Sequence, residues 1–442
     1  MPRRNVSRRS VVTSSTALAI GALAGCTGNS GNAGNGNNGD DEVEEKEIGG
    51  KNTNSALKFA SWGEGAERKA LEEGITGFTN KNSDVSVNYQ TVPYSNYHDR
   101  LQTQFGANEE PDVFYVDLSY MGTFADSDVL LNLGEKFDDS YLEGFITEVV
   151  NRYRASDGGL YMFPFASSPI AISYNAELLE EAGVNEFPKT WDDFKPALEA
   201  IRDETDVNYP FIDSDSVPAW IWRAWVYGNG GEFMNDDNTE CIVAENEPVE
   251  ALEFFEELRE DELIGTLDEI QTDSAEAGIN DGQVAMTAGG SSVLSLINAD
   301  YPDLYDKMDV ARPPRPPNGE FGNEVAGAGF SISANSDQTD AALALVRYML
   351  NEGIVPYLES GVSVPVKKSQ LQEISLYTED ERYQKIAEMR EDPRLGSPSW
   401  GPNTVEIMNT LNPQLEGVLH GEVSAREALE EVERTVNGEI LN

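Results

Sequence analysis

Between Leu57 and Asp117 strand and helix signals alternate through five elements, and this alternation restricts the possible folds more than any other feature. Leu57 to Trp62 is an apolar run of strand length, followed by a turn over Ser61 to Gly65. Leu71, Ile75 and Phe78 then share one face of a helix, as a period of 3.6 residues requires. Val85, Val87 and Tyr89 alternate as a second strand, and Tyr97, Leu101 and Phe105 stripe a second helix. Asp112 to Asp117 (DVFYVD) reads as a buried strand. Strand–helix–strand–helix–strand closes through right-handed crossovers in a parallel-type sheet. At 442 residues a single core is too small an answer, and two domains are expected.

The second half repeats the grammar less regularly. Phe194, Leu198 and Ile201 form a helix face, and Tyr209 to Ile212 a short strand. Val217 to Tyr227 carries Trp220, Trp222 and Trp225, and a helix bearing Leu252, Phe255 and Leu258 begins at Pro248. Met308 to Pro313 is expected to cross back between domains, with Gly327 to Ser333 a strand and Ala341 to Leu350 a helix. The remainder reads as helical, including a helix after Trp400 bent at Pro413.

Gly159 to Trp191 (GLYMFPFASSPIAISYNAELLEEAGVNEFPKTW) joins these halves. Leu160 to Phe165 is a strand stopped by Pro164, and Ile170 to Tyr174 is a second, β-branched run. A helix follows over Ala176 to Ala182 with Gly183 placed to cap it, and Thr190 to Asp193 opens the next as a near capping box. Tyr161 with Pro164, Tyr174-Asn175, Ala182-Gly183 and Pro188-Lys189-Thr190-Trp191 together resemble the family 1 extracellular solute-binding proteins of ABC importers, the maltose-binding-protein-like group. The resemblance extends from about Leu57 to Ile440 and takes in the Gly-x-x-Ala-Met strand and glycine loop of Ile279 to Gly289. It implies an α/β, two-lobed periplasmic-binding-protein-like fold of type II, each lobe a mixed or parallel sheet flanked by helices, joined by a multi-crossing hinge. The expected first lobe is 56–164 plus 312–352, and the second 165–311 plus 353–442.

The start of the sequence points to export. Arg8-Arg9 precedes an apolar run from Val11 to Gly25, too short to span a membrane comfortably, and looks like a twin-arginine signal. Leu23-Ala24-Gly25-Cys26 resembles a lipobox, so 1–25 is expected to be the signal and Cys26 the lipidated residue. Residues 26–55, Gly/Asn-rich and then acidic, are expected to form a disordered tether. The other cysteine, Cys241, is expected to be a buried or free thiol.

Charge excludes one function class and colours the rest. Against 79 acidic residues stand 31 basic ones, too few for a phosphate-binding surface, so nucleic acid is not an expected partner. The acids are spread over nearly every helix, which fits a solvated surface adapted to high salt, where a Debye length of about 3 Å screens the self-repulsion. Only His98 and His420 are present, which disfavours a histidine-based metal or catalytic site.

Open α/β sheets bind ligands beyond the carboxyl ends of their strands. That rule selects Trp62 and Glu64 after the first strand, and Asp117, Ser119 and Tyr120 after the third. From the second lobe it selects Trp222 or Trp225, Gly289 and Ser291 in the glycine loop, and Trp400; Arg312 lies near a crossing. The resemblance implies the same loops. Indole and phenol rings stack on the C–H faces of a pyranose, while carboxylates and arginine hold its hydroxyls. Competing structural roles are plain: Trp191 packs after a cap, and Trp220, Trp222 and Trp225 cannot all avoid the core. Glu64 and Asp117 are also compatible with ordinary solvated acids, and Arg312 with a bridge between lobes.

The expectation is a lipid-anchored, extracellular binding protein on the outer face of the cytoplasmic membrane. It would be a monomer without cofactor, metal or catalysis, capturing a sugar or oligosaccharide for ABC permease subunits. A cation ligand such as a polyamine or iron on the same fold, an extracellular carbohydrate-active enzyme, and a sensor partner without transport are the rivals.

Overall fold

The computed structural model describes residues 43–50, 55–63, 65–213, 219–324 and 326–441, the side chains of Ala66 and Trp220 excepted. The leader, Cys26 and Glu64 lie outside the described residues. Among the described residues no helix is long and apolar enough to cross a membrane.

Six strands make the first sheet: β1 (Glu44–Gly49), β2 (Ser55–Ser61), β3 (Val85–Thr91), β4 (Val113–Asp117), β5 (Phe163–Pro164) and, from late in the chain, β13 (Ala328–Ile332). Their order is β1-β3-β2-β4-β13-β5, with β2 parallel to both β3 and β4. Helix α1 (Gly65–Lys81) links β2 to β3 and α2 (Tyr94–Ala107) links β3 to β4. The apolar stripe of α1 is sealed on the sheet, with Leu71, Ile75 and Phe78 at most 1% exposed. Helix α3 (Leu118–Asp126) starts directly on the last residue of β4, because the Asp117 carboxylate caps the Ser119 N–H.

The sheet has one strand more than the sequence suggests. Glu44–Gly49, expected within the tether, pairs antiparallel with β3 from Glu44↔Thr91 to Gly49↔Ser86. Only Ile48 is buried in it, so its apolar content carries almost no strand signal. The open edge of β3 supplies the missing incentive by pairing its backbone.

The second sheet contains β7 (Ala171–Asn175), β8 (Tyr209–Asp213), β9 (Ile264–Gly265), β10 (Val284–Gly289) and β11 (Met308–Ala311) in the order β11-β7-β10-β8-β9. Met308 to Ala311 is therefore an antiparallel edge strand against β7, with Met308 and Val310 facing inward, and the crossing comes after it. Successive residues of this sheet enter different cores. Phe211 and Ile172 join a cluster with Phe194, Trp222, Trp225 and Phe255, whereas Ile212 and Ala171 join a cluster continuous with the first sheet.

Two small ladders tie the crossings together. β6 (Ala166–Ser167) pairs antiparallel with β14 (Val364–Pro365), and β12 (Gly322–Glu324) pairs parallel with β15 (Arg394–Gly396). Helix Val355–Glu359 packs on α1, so the expected boundary at 352/353 cuts through that packing. Thr190 caps the helix Trp191–Glu204 by accepting from the Asp193 N–H, as its sequence implies. Cys241 is buried without a disulfide, and burial pushes its thiol up to about 11.

Candidate functional site

Because β2, β3 and β4 run parallel, Trp62, Tyr94 and Asp117 leave the first sheet at the same end. The half-buried Trp62 ring meets Tyr94, Tyr97 and Tyr115 edge-on at 5.2–5.3 Å between centroids. It also meets the His98 ring at 5.5 Å, and His98 in turn stacks flat on Tyr120 at 3.7 Å. Tyr94 leaves 53% of its surface exposed. Open ring faces of this kind, set on a rigid sheet, suit the apolar face of a ligand.

Polar groups are fixed among these rings. Asp117 Oδ1 accepts from the Ser119 N–H at 2.9 Å and from Ser119 Oγ at 2.6 Å, while Oδ2 faces the Tyr94 hydroxyl at 3.5 Å. Burial raises the Asp117 pKa, against the lowering effect of those hydrogen bonds. His98 Nε2 accepts from the Asp117 N–H at 3.3 Å, which needs the neutral imidazole. Burial drives the His98 pKa down to about 3, so the ring stays neutral at any physiological pH. Trp62, Asp117, Ser119 and Tyr120 are thus brought together, with Ser119 serving as the partner that orients Asp117.

The second-lobe expectations divide differently. Trp222 and Trp225 are at most 1% exposed and belong to the core. Trp222 Nε1–H donates to the Pro248 carbonyl at 3.1 Å, and Trp225 packs on Trp191 and Phe254. Neither indole offers a free face, because helix Ala219–Gly228 is covered on several sides by other elements. The residue between them, Arg223, turns instead to Glu324 in β12, with Nη2–Oε1 at 3.1 Å and Nε–Oε2 at 2.5 Å. Its charge reaches Asp117 across the gap between the sheets.

Gly289 and Ser291 are likewise packed away. Ser291 Oγ donates to the Val362 carbonyl at 3.0 Å, and a Cβ on Gly290 would sit 3.2 Å from that of Ser168. The glycine loop is a contact between crossings. Arg312 also acts there: its Nε donates to Asp392 Oδ1 at 2.7 Å, which ties the segment after β11 to the one before β15. Trp400, 5% exposed, stacks on Phe233 at 4.9 Å and borders a cavity of about 310 Å³.

That cavity takes Arg152 and Arg154 from one side and Glu232, Asp236 and Tyr227 from the other. An adjoining cavity of about 390 Å³ shares Arg154, Asn238 and Ser399 with it and reaches Gly122 of α3. Burial raises the Glu232 carboxyl pKa. Three hydroxyls near the crossings, Tyr115 Oη, Tyr153 Oη and Ser167 Oγ, are buried without a hydrogen-bond partner. Gly327 brings two of these residues together: a Cβ there would lie 3.0 Å from Tyr153 Oη and 3.5 Å from Ser167 Cα. Buried unpaired hydroxyls cost about 1–3 kcal/mol each, which a polar ligand or water would recover.

Tyr94 was open to the strand-end rule, since it follows β3 as Trp62 follows β2. Arg223 carries no such signal, being one polar residue inside an aromatic helix. Among the described residues no group of three or more His, Cys, Asp or Glu could hold a metal ion.

The family model for bacterial extracellular solute-binding proteins matches residues 61–355. A putative binding protein of Brucella abortus is 23% identical over 307 residues, covering 65% of this chain and 72% of the relative. The arabinooligosaccharide-binding protein of Halalkalibacterium halodurans is 25% identical over 309 residues, 67% of each chain. Among solved structures, the sugar-binding protein MalE of Xanthomonas citri superposes with a TM-score of 0.78 at 21% identity, covering 87% of this chain and 97% of that one.

Proposed function

The chain belongs to the bacterial extracellular solute-binding protein family, and from that premise we propose that it captures a sugar or oligosaccharide between its two sheets for an ABC importer. The observation that carries this reading is the cluster at the end of the first sheet, where Trp62, Tyr94 and Tyr120 surround the oriented Asp117 carboxylate. Aromatic faces take the C–H surface of a pyranose, and the carboxylate accepts from its hydroxyls. The polar cavity beside Trp400, with arginines opposite carboxylates, supplies the facing half. Contacts from both lobes would favour the closed form, because a ligand shifts such a balance only by binding one form better. Lipidation of Cys26 would hold the protein at the outer face of the membrane beside its permease. The protein is read as a binder and not a catalyst.

Intrinsic tryptophan fluorescence, titrated in high salt with maltotriose, arabino- and galacto-oligosaccharides, spermidine and ferric ion, tests the reading. A saturable response to a saccharide at micromolar concentration, about −8 kcal/mol, is expected. Trp62→Ala and Tyr120→Ala should each weaken it at least tenfold while the thermal melt stays cooperative. A response to spermidine or iron alone, or release of hydrolysed saccharide, would replace the sugar-binding reading.

A further inference from the structure

A hairpin over residues 233–242 forms a wall of both cavities described above. Met234, Asn235, Asp236 and Asn238 line the cavity beside Trp400, and Asn238 also lines the adjoining one. The tip is closed by its own bonds: Asn235 Oδ1 accepts from the Thr239 N–H at 2.8 Å and from the Glu240 N–H at 3.1 Å. At the base, Phe233 is stacked on Trp400. A Cβ on Gly401 would lie 3.8 Å from that of Asn238, and Gly401 in turn meets Gly122 of α3, so the tip sits where the first sheet's helix comes closest.

One pair of residues in the hairpin cannot satisfy itself. The bonds from the Ile242 N–H to the Phe233 carbonyl (3.0 Å) and from the Asn235 N–H to the Glu240 carbonyl (2.9 Å) bracket the facing residues Met234 and Cys241. In an antiparallel ladder such a bracketed pair turns its N–H and C=O groups outward. Asn437 meets both groups of Cys241: its Oδ1 accepts from the N–H at 2.7 Å, and its Nδ2 donates to the carbonyl at 2.8 Å. Glu433, four residues earlier and on the same side, accepts from the Ala244 N–H at 2.9 Å. Both belong to helix Ala425–Thr435 and its π-helical continuation Val436–Ile440, where Val436 is buried in the same core as Trp222 and Trp225. Helix side chains thus replace a neighbouring strand, from 196 residues away in the case of Asn437.

We propose that Asn437, with Glu433, is a positioning residue for ligand capture: it latches the hairpin so that the tip is held against the bound ligand. The proposal rests on the sugar-binding reading above and adds to it a control of affinity exerted from outside the cleft. Neither Asn437, Glu433 nor Cys241 lines either cavity. Latching and binding are linked, so loosening the hairpin weakens the ligand, and a bound ligand holds the hairpin down to the same extent. Cys241 reports the state of the latch, because its thiol is 2% exposed and meets a reagent only when the hairpin loosens.

Alkylation of Cys241 by iodoacetamide in the full chain, read on its own peptide by mass spectrometry in high salt, tests the latch. In wild type, the compound of the panel above that binds should slow alkylation about fivefold or more at saturation. Without ligand, Asn437→Ala and Glu433→Ala should each speed it about tenfold, since each leaves backbone groups of the hairpin unpaired. Affinity should fall about fivefold in both, with the loss in the dissociation rate, because only the latched fraction binds. Glu430→Ala, at an exposed position of the same helix, should change neither. Wild-type affinity in both latch variants would overturn the proposal. So would a saccharide that binds and leaves Cys241 alkylation unaltered, although the sugar reading would then stand. Should neither variant fold, protection in wild type decides alone. If spermidine or ferric ion protects Cys241 and no saccharide does, the latch stands and the sugar reading falls; if no compound protects it, the latch falls.

Discussion

Two titratable residues near the candidate site, the buried His98 and the half-buried Glu67, oppose one another in their effect on stability. His98 has its pKa lowered from 6.5 to about 3 by burial. The unfolded chain then holds more protons than the native one between those values, so stability from His98 is complete above pH 6.5 and lost as pH falls. Glu67 has its pKa raised from 4.5 to about 7, so its contribution is complete below pH 4.5 and lost as pH rises toward 7. Replacing His98 with Gln, which can still accept from the Asp117 N–H, isolates the first effect. The stability difference between wild type and His98→Gln should move in favour of wild type by up to ~4 kcal/mol from pH 3 to pH 6.5 and stay level above. Urea melts at pH 4, 5.5 and 7 measure it. A difference independent of pH would mean that the imidazole is not held neutral.

At the scale of elements, the strand β1 and the hinge ladders do what the sequence does not announce. β1 contributes one buried side chain, yet its full pairing with β3 protects an edge that would otherwise be open. Lys46 and Glu44 also reach across to Glu72 and Arg68 of α1, partly exposed ion pairs worth little each. Relative to a chain that begins at residue 43, deleting through residue 50 should cost about 1–3 kcal/mol and increase aggregation, seen by light scattering. Equal melting of the two truncations would show that the strand is dispensable. The crossings are stiffened by polar ties in place of a large core: Arg312 to Asp392, Arg223 to Glu324, and Arg390, fully buried, to the Pro365 carbonyl of β14.

For the molecule as a whole, the decisive contact is where α3 meets the turn before the helix Thr404–Leu419. Thr123 Oγ1 donates to the Pro402 carbonyl at 2.8 Å, and Gly122 approaches so closely that a Cβ would sit 2.3 Å from the Gly401 oxygen. α3 extends from the first sheet, while that turn adjoins Trp400 in the second core, so the contact closes one side of the candidate cleft. A side chain at position 122 would drive the two apart. Gly122→Val should penalise the closed arrangement by about 1–3 kcal/mol, weakening saccharide binding roughly 5- to 150-fold with little change in either core. A larger radius of gyration in X-ray scattering should accompany it. Unchanged affinity and dimensions would show that the contact is incidental to closure.

Much of this architecture was legible without coordinates. Apolar runs such as DVFYVD and QVAMTAG read as buried strands, the stripe Leu71-Ile75-Phe78 marks the buried face of its helix, and Thr190 announces the helix it caps. Those features are local: each depends on residues a few positions apart, and physical chemistry over that range is nearly deterministic. The strand-end rule also brought Trp62, Asp117 and Tyr120 into one candidate site, because parallel strands necessarily end together. What the sequence could not decide was which neighbour each surface would meet. Trp222 and Trp225 occupy a helix that is apolar on almost every side, so its own periodicity cannot say which face turns to a core and which to a cleft. The pairing of Arg223 with Glu324 spans 101 residues, and β1 exists only because β3 offers an edge. Tyr115 looks like an ordinary strand aromatic until the fold buries its ring and leaves its hydroxyl unpartnered. Local pattern determined the elements; burial and long-range pairing, which depend on every other element being in place, decided which residues were left to face a ligand.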